Sequence, residues 1–127
     1  MIKTYGLTHI SLSVKDLHQS SAFYENLLGA KKMYITENFI QLQTPGCNDV
    51  IVLDKSNEEL KKNTGTKHFG FRLIDQIDIK LLIAEIENAG GKIKESGEFV
   101  PGEPYVFFYD PNGYEIEVWY EPPPGRI

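Results

Sequence analysis

The sequence predicts an α+β protein made of two copies of a βαβββ module. Three observations carry this. Two alternating strand patterns, "HISLSV" at 9–14 and "HFGFRL" at 68–73, both open on a histidine. Each is followed by an amphipathic helix with a polar start and a glycine stop. Three further strand patterns, separated by turn signals, then complete each half, so the plan repeats.

In the first half, Ile10, Leu12 and Val14 share one face of the opening strand, and His9, Ser11 and Ser13 share the other. A helix is predicted from about Asp16 to Leu28, with Asp16 as N-cap and Gly29 as stop. Strands follow at about 31–36, 38–43 and 49–54, the last two joined by the turn "TPGCND". In the second half, Phe69, Phe71 and Leu73 face one way; His68, Gly70 and Arg72 face the other. The second helix runs from about Asp78 to Ala89, with Ile79, Leu82, Ile83 and Ile86 as its apolar stripe. Strands are predicted at about 92–98, 104–109 and 114–120, with "DPNG" as the last hairpin turn. The polar stretch "SNEELKKNTGT" reads as the connection between halves, and the Pro-rich tail "EPPPGRI" as extended chain. The expected organisation is one domain over 1–127, with modules at about 5–56 and 66–120 and a linker at about 57–65. Neither half buries much core alone at this length, so the halves are expected to pair within a chain or across a dimer.

Composition narrows the function. A net charge of -5 argues against general nucleic-acid binding, which needs a basic face. No run approaches the roughly 18 apolar residues of a membrane span. The start "MIKTYGLTHISL" lacks the apolar segment of a signal peptide. The one cysteine, Cys47, forms no internal disulfide, in keeping with a reducing cytoplasm.

Superimposing the halves by their pattern sets His9 on His68, and Val50-Ile51-Val52-Leu53 on Glu115-Ile116-Glu117-Val118. His9, His68 and Glu117 then all fall on the face away from the helices. An acid there is costly unless something neutralises it. Two imidazoles and a carboxylate on rigid strands suit Zn²⁺, Ni²⁺, Co²⁺, Fe²⁺ or Mn²⁺ and leave positions open for water or substrate. Any one of the three alone is more simply an ordinary strand residue; the symmetric placement reverses that. The same face carries Ser11, Phe39, Gln41, Val52, Arg72, Tyr105, Phe107, Tyr109, Glu115 and Trp119. This mixture suits a small-molecule site. Arg72 is a candidate anchor for a substrate carboxylate, or else a salt-bridge partner for Glu115 or another acid.

The pieces "LTHISLSVKDLHQSSAFYENLLGA", "TKHFGFRL" and "FFYDPNGYEIEVW", in this order, resemble the vicinal oxygen chelate superfamily, also called the glyoxalase/bleomycin-resistance/dioxygenase superfamily. The resemblance spans nearly the whole chain. It implies paired βαβββ modules whose sheets curl into a half-barrel around a divalent metal, with His9, His68 and Glu117 as metal ligands. It also implies a homodimer. The expected activity is that of a glyoxalase-type lyase, isomerase or thiol transferase on a small substrate that chelates the metal through neighbouring oxygens. The alternatives are an extradiol-type dioxygenase and a non-catalytic binder of the bleomycin-resistance kind. Glyoxalase I-type members add a fourth ligand, usually Glu, where this chain has Val52. Other subfamilies place Tyr where this chain has Phe107. The catalytic candidates are therefore Glu117, which would both ligate and take a proton, with Tyr109 and Tyr105 as sources of a phenol.

Overall fold

The computed structural model describes residues 1–56 and 65–122. The chain divides into two compact units, Met1–Leu60 and Lys61–Ile127. The linker expected at 57–65 lies almost wholly outside the described residues, as does most of the Pro-rich tail.

The first unit contains β1 (His9–Val14), α1 (Leu17–Leu28), β2 (Lys31–Ile35), β3 (Phe39–Gln43) and β4 (Val50–Lys55). The second repeats the order with β5 (Phe69–Arg72), α2 (Ile79–Ala89), β6 (Lys92–Glu98), β7 (Pro104–Tyr109) and β8 (Glu115–Trp119). Each unit forms one four-stranded open sheet, ordered β1-β4-β3-β2 and β5-β8-β7-β6. In both, the first and last strands of the unit pair in parallel and the remaining neighbours are antiparallel. The predicted βαβββ plan is therefore present twice, as a mixed sheet with one helix in each unit.

The helices begin and end where their capping residues stand. The Asp16 carboxylate accepts from the Gln19 amide, and that of Asp78 from the Lys80 amide; Gly29 and Gly90 follow the last turns. Helix α1 packs on β3 and β4, and α2 on β6 and β7. The alternation of the strands decides what meets the helix. Leu12, Val14, Ile40, Leu42, Ile51 and Leu53 are buried in the first unit with Phe23 and Tyr24, whose rings meet edge to face. Val106, Phe108, Ile116 and Val118 are their counterparts in the second, with Leu82 and Ile86 of α2. Each of these sheet residues, fully buried, contributes roughly 1.5–3 kcal/mol.

The β7–β8 hairpin is set by Asp110. Its Oδ1 accepts from the amides of Asn112 and Tyr114, both at 2.9 Å, and the carboxylate is itself buried. Gly113 closes the turn at φ 89°, in the left-handed region that disfavours side chains bearing a Cβ. This turn fixes the pairs Tyr109 with Glu115 and Phe107 with Glu117. Asp110→Ala is expected to destabilise the protein by about 2–3 kcal/mol, since two amides lose a charged acceptor. Urea unfolding of wild type and variant checks this.

Candidate metal centre

The pairing registers within the two units follow the same plan. In the first unit His9 pairs with Val50 and Ser11 with Val52. In the second, Phe69 pairs with Ile116 and Gly70 with Glu117, so His68, one residue before β5, stands at the level of Glu115. His68 thus corresponds to His9, Glu115 to Val50, and Glu117 to Val52.

In the second unit the structure brings His68 and Glu117 together. His68 Nε2 stands 3.7 Å from Glu117 Oε1. The imidazole and the Phe107 ring stand perpendicular, with 5.1 Å between centroids. Phe107 lies directly across from Glu117 on β7 and so packs beside both groups. Gly70 helps keep the face open next to Glu117. A Cβ built there would come within 3.0 Å of the Glu117 carbonyl and 3.5 Å of its Cβ. Burial raises the Glu117 pKa above the usual carboxylate range, and the nearby imidazole offsets this only in part.

The donor set fits a divalent cation. Two ligands of one ion, each at about 2.1 Å, stand roughly 3 Å or more apart, which the His68–Glu117 pair approaches. A cation between them would supply the positive charge that Glu117 lacks. Taken unit by unit among the described residues, no group of three His, Cys, Asp or Glu side chains is placed to hold a metal. The second unit supplies a pair. His9, at the matching position, belongs to the first unit, with half-buried Phe39, Gln41 and Val52 and exposed Ser11 on the same sheet face. There the Phe39 ring stacks on Tyr34 at 5.7 Å.

The raised Glu117 pKa has a measurable consequence in metal-free protein. The folded chain keeps this proton to a higher pH than the unfolded chain does. Between the two pKa values the folded state therefore binds more protons, and stability falls as pH rises from the ordinary carboxylate range. Glu117→Gln removes that loss. With chelator present, the variant is expected to melt above wild type at pH 7, and the gap should close on acidification. Thermal unfolding followed against pH checks it.

The other candidates are spread along the same face. Tyr109 pairs with Glu115. Tyr105 pairs with Trp119 and leans over Gly97, where a Cβ would come within 2.6 Å of its hydroxyl. Its ring also meets Phe99 at 4.7 Å, a contact that strand alternation does not reveal because Phe99 lies beyond β6. Arg72 is tied to the chain end. Its Nη2 donates to the carbonyls of Glu121 and Pro122 and stands 3.8 Å from the Glu121 carboxylate. The guanidinium also sits over Trp119, 5.3 Å from the ring centroid. The salt-bridge partner of Arg72 is thus Glu121. Glu115 takes its cation from Lys94 of β6, Nζ to Oε1 at 2.8 Å, and this hydrogen bond raises the Lys94 pKa. Lys94 was not among the sequence candidates.

The twofold βαβββ plan is the one that the resemblance to glyoxalase-type proteins implies. The profile of the Glyoxalase/Bleomycin resistance protein/Dioxygenase superfamily matches residues 6–118, and the chain belongs to that superfamily. A variant of the fosfomycin resistance protein FosX from Listeria monocytogenes, solved with Mn(II) and 1S,2S-dihydroxypropylphosphonic acid, is 25% identical. It covers 91% of this chain and 90% of its own, with a TM-score of 0.73. A glyoxylase/bleomycin resistance protein/dioxygenase domain from Frankia sp. EAN1pec is 24% identical, over 94% of this chain and 100% of its own, at 0.75. A lactoylglutathione lyase from Agrobacterium tumefaciens is 18% identical, over 92% and 94%, at 0.70. Comparison with curated protein sequences returned no match. Among the described residues no helix is long and apolar enough to cross a membrane.

Proposed function

We propose that the protein is a metal-dependent enzyme of the glyoxalase type, a lyase, isomerase or thiol transferase. Its substrate would be a small molecule that presents two neighbouring oxygens to a divalent cation. The observation that carries this reading is the His68–Glu117 pair, with His9 at the matching register position of the first module. The FosX relative supports it, since its structure holds Mn(II) with a ligand bearing adjacent hydroxyls.

In this reading His9, His68 and Glu117 hold the ion, which supplies Lewis acidity when bound. The chain's own residues do the rest. Phe107 and Trp119 give the substrate apolar walls. Ser11, Phe39, Gln41 and Val52 complete the lining from the first module. Glu117 is the first candidate for taking a proton from substrate, as the carboxylate that would lie beside both the ion and the substrate. Tyr109 and Tyr105 are the phenols on the same face. Arg72 would meet an anionic substrate group only by leaving the tail carbonyls it now holds. Residues 1–127 would act as one domain and assemble as a homodimer in the cytoplasm.

The test is metal reconstitution followed by an activity screen. Protein loaded with Mn²⁺, Ni²⁺, Co²⁺, Zn²⁺ or Fe²⁺ is assayed with a hemithioacetal, an epoxide with a thiol, and a catechol with O₂. Turnover of either of the first two supports the proposal. Ring cleavage with O₂ uptake would assign the dioxygenase reading instead. Failure to take up any metal would sink both.

Val52→Glu probes the match between modules. It places a carboxylate at the position corresponding to Glu117 and is expected to tighten divalent-metal binding by about tenfold or more, as a fourth ligand would. Isothermal titration with Ni²⁺ reads this. Unchanged affinity would count against the superposition.

A further inference from the structure

His68 faces two carboxylates, one at each ring nitrogen. Nε2 looks toward Glu117, and Nδ1 stands 3.9 Å from Glu115 Oε2. The second distance is too long for a hydrogen bond, but closing it needs only about 1 Å of side-chain movement. Glu115 is held from its other side by Lys94, Nζ to Oε1 at 2.8 Å. So one oxygen of Glu115 is occupied by the ammonium and the other is left toward the imidazole.

Lys94 lies at a bulge in β6. Ile93 pairs with Phe108 and Glu95 with Phe107, which leaves Lys94 as the extra residue. The first module has the same irregularity at the same place. Lys32 pairs with Leu42 and Tyr34 with Gln41, leaving Met33 extra.

The two modules therefore permit an internal comparison. Where the second has Lys94 and Glu115, the first has Met33 and Val50. Both members of the pair are charged in one module and apolar in the other. The charged pair occurs in the module whose sheet also carries the Glu117 carboxylate. A metal-ligating histidine commonly gives its second nitrogen to a carboxylate, which fixes the tautomer and the ring orientation.

We propose that Glu115, anchored by Lys94 at the β6 bulge, is a positioning residue for His68. It keeps the proton on Nδ1, so that Nε2 presents its lone pair on the Glu117 side. The inference rests on His68 being a metal ligand, as in the proposed function, but it can be read without metal. Neutral imidazole in water prefers the proton on Nε2, so a held Nδ1–H form is a distinctive signature.

The experiment uses the full chain as wild type, Glu115→Val, Glu115→Gln and Lys94→Met. Glu115→Val and Lys94→Met copy the residues of the first module and suit a strand. Long-range ¹H–¹⁵N NMR of metal-free protein reads the His68 tautomer. The expected result is Nδ1–H in wild type, loss of that form in Glu115→Val, and partial retention in Glu115→Gln, which keeps an acceptor. Titration with Mn²⁺ should then show affinity about 10–100-fold weaker in Glu115→Val, with a smaller loss in Lys94→Met. The same tautomer in wild type and Glu115→Val would overturn the inference. If wild type binds none of Mn²⁺, Ni²⁺, Co²⁺, Zn²⁺ and Fe²⁺, the proposed function fails, while the tautomer comparison still decides the role of Glu115.

Discussion

Glu117→Ala is expected to abolish stoichiometric binding of divalent metal, with at least a hundredfold loss of affinity, and to lower kcat/KM by about 10³-fold or more. The reason is local. Glu117 is the carboxylate that faces His68 Nε2, and its removal leaves one neutral nitrogen in the second unit to hold a dication. Several kcal/mol of transition-state stabilisation depend on the ion where a metal acts as Lewis acid. His68→Ala is expected to behave alike. Metal analysis of purified proteins after reconstitution checks both, with circular dichroism to show that the variants fold. The alanine should not unfold the sheet, because Ile116 and Val118 on the opposite face of β8 keep their buried contacts. Retention of full metal content by Glu117→Ala would remove the site.

The largest stability effect is expected at Phe108. Its ring is wholly buried on the helix-facing side of β7. A Cβ added at Gly91 would come within 3.2 Å of it and 2.6 Å of Ile86, so this corner is closely packed. Phe108→Ala leaves a cavity that the sheet cannot close and should cost about 3–5 kcal/mol. Small proteins have only about 5–15 kcal/mol in total, so the variant is expected to be partly unfolded near 37 °C. Thermal melting reads this, and a shift of only a degree or two would contradict the packing described.

Much of the fold is legible in the sequence because its signals are local. Alternation separates Ile116 and Val118 from Glu115 and Glu117, and the structure buries the first pair and leaves the second half-buried. Asp16, Asp78, Gly29 and Gly90 mark the helix ends through their own backbone and side-chain chemistry. The match of the halves follows from the same alternation, and the registers agree with it. What escapes is non-local. The bulge that displaces Lys94 interrupts the pairing of β6 without leaving a mark in "KIKESGE". The anchorage of Arg72 in the tail joins residues nearly fifty positions apart. No pattern within a strand indicates that Phe99 lies on Tyr105.

The parallel seam between β5 and β8 has a kinetic side. Strands β6, β7 and β8 are joined by short turns and can pair as a meander soon after they form. Strand β5 must cross almost the whole unit to reach β8, so that contact carries the greatest loop-closure cost and the highest contact order. His68 and Glu117 lie on opposite sides of this seam. An ion held by both would tie the first strand of the unit to its last, act as a clasp on the slowest-forming junction, and slow its reopening.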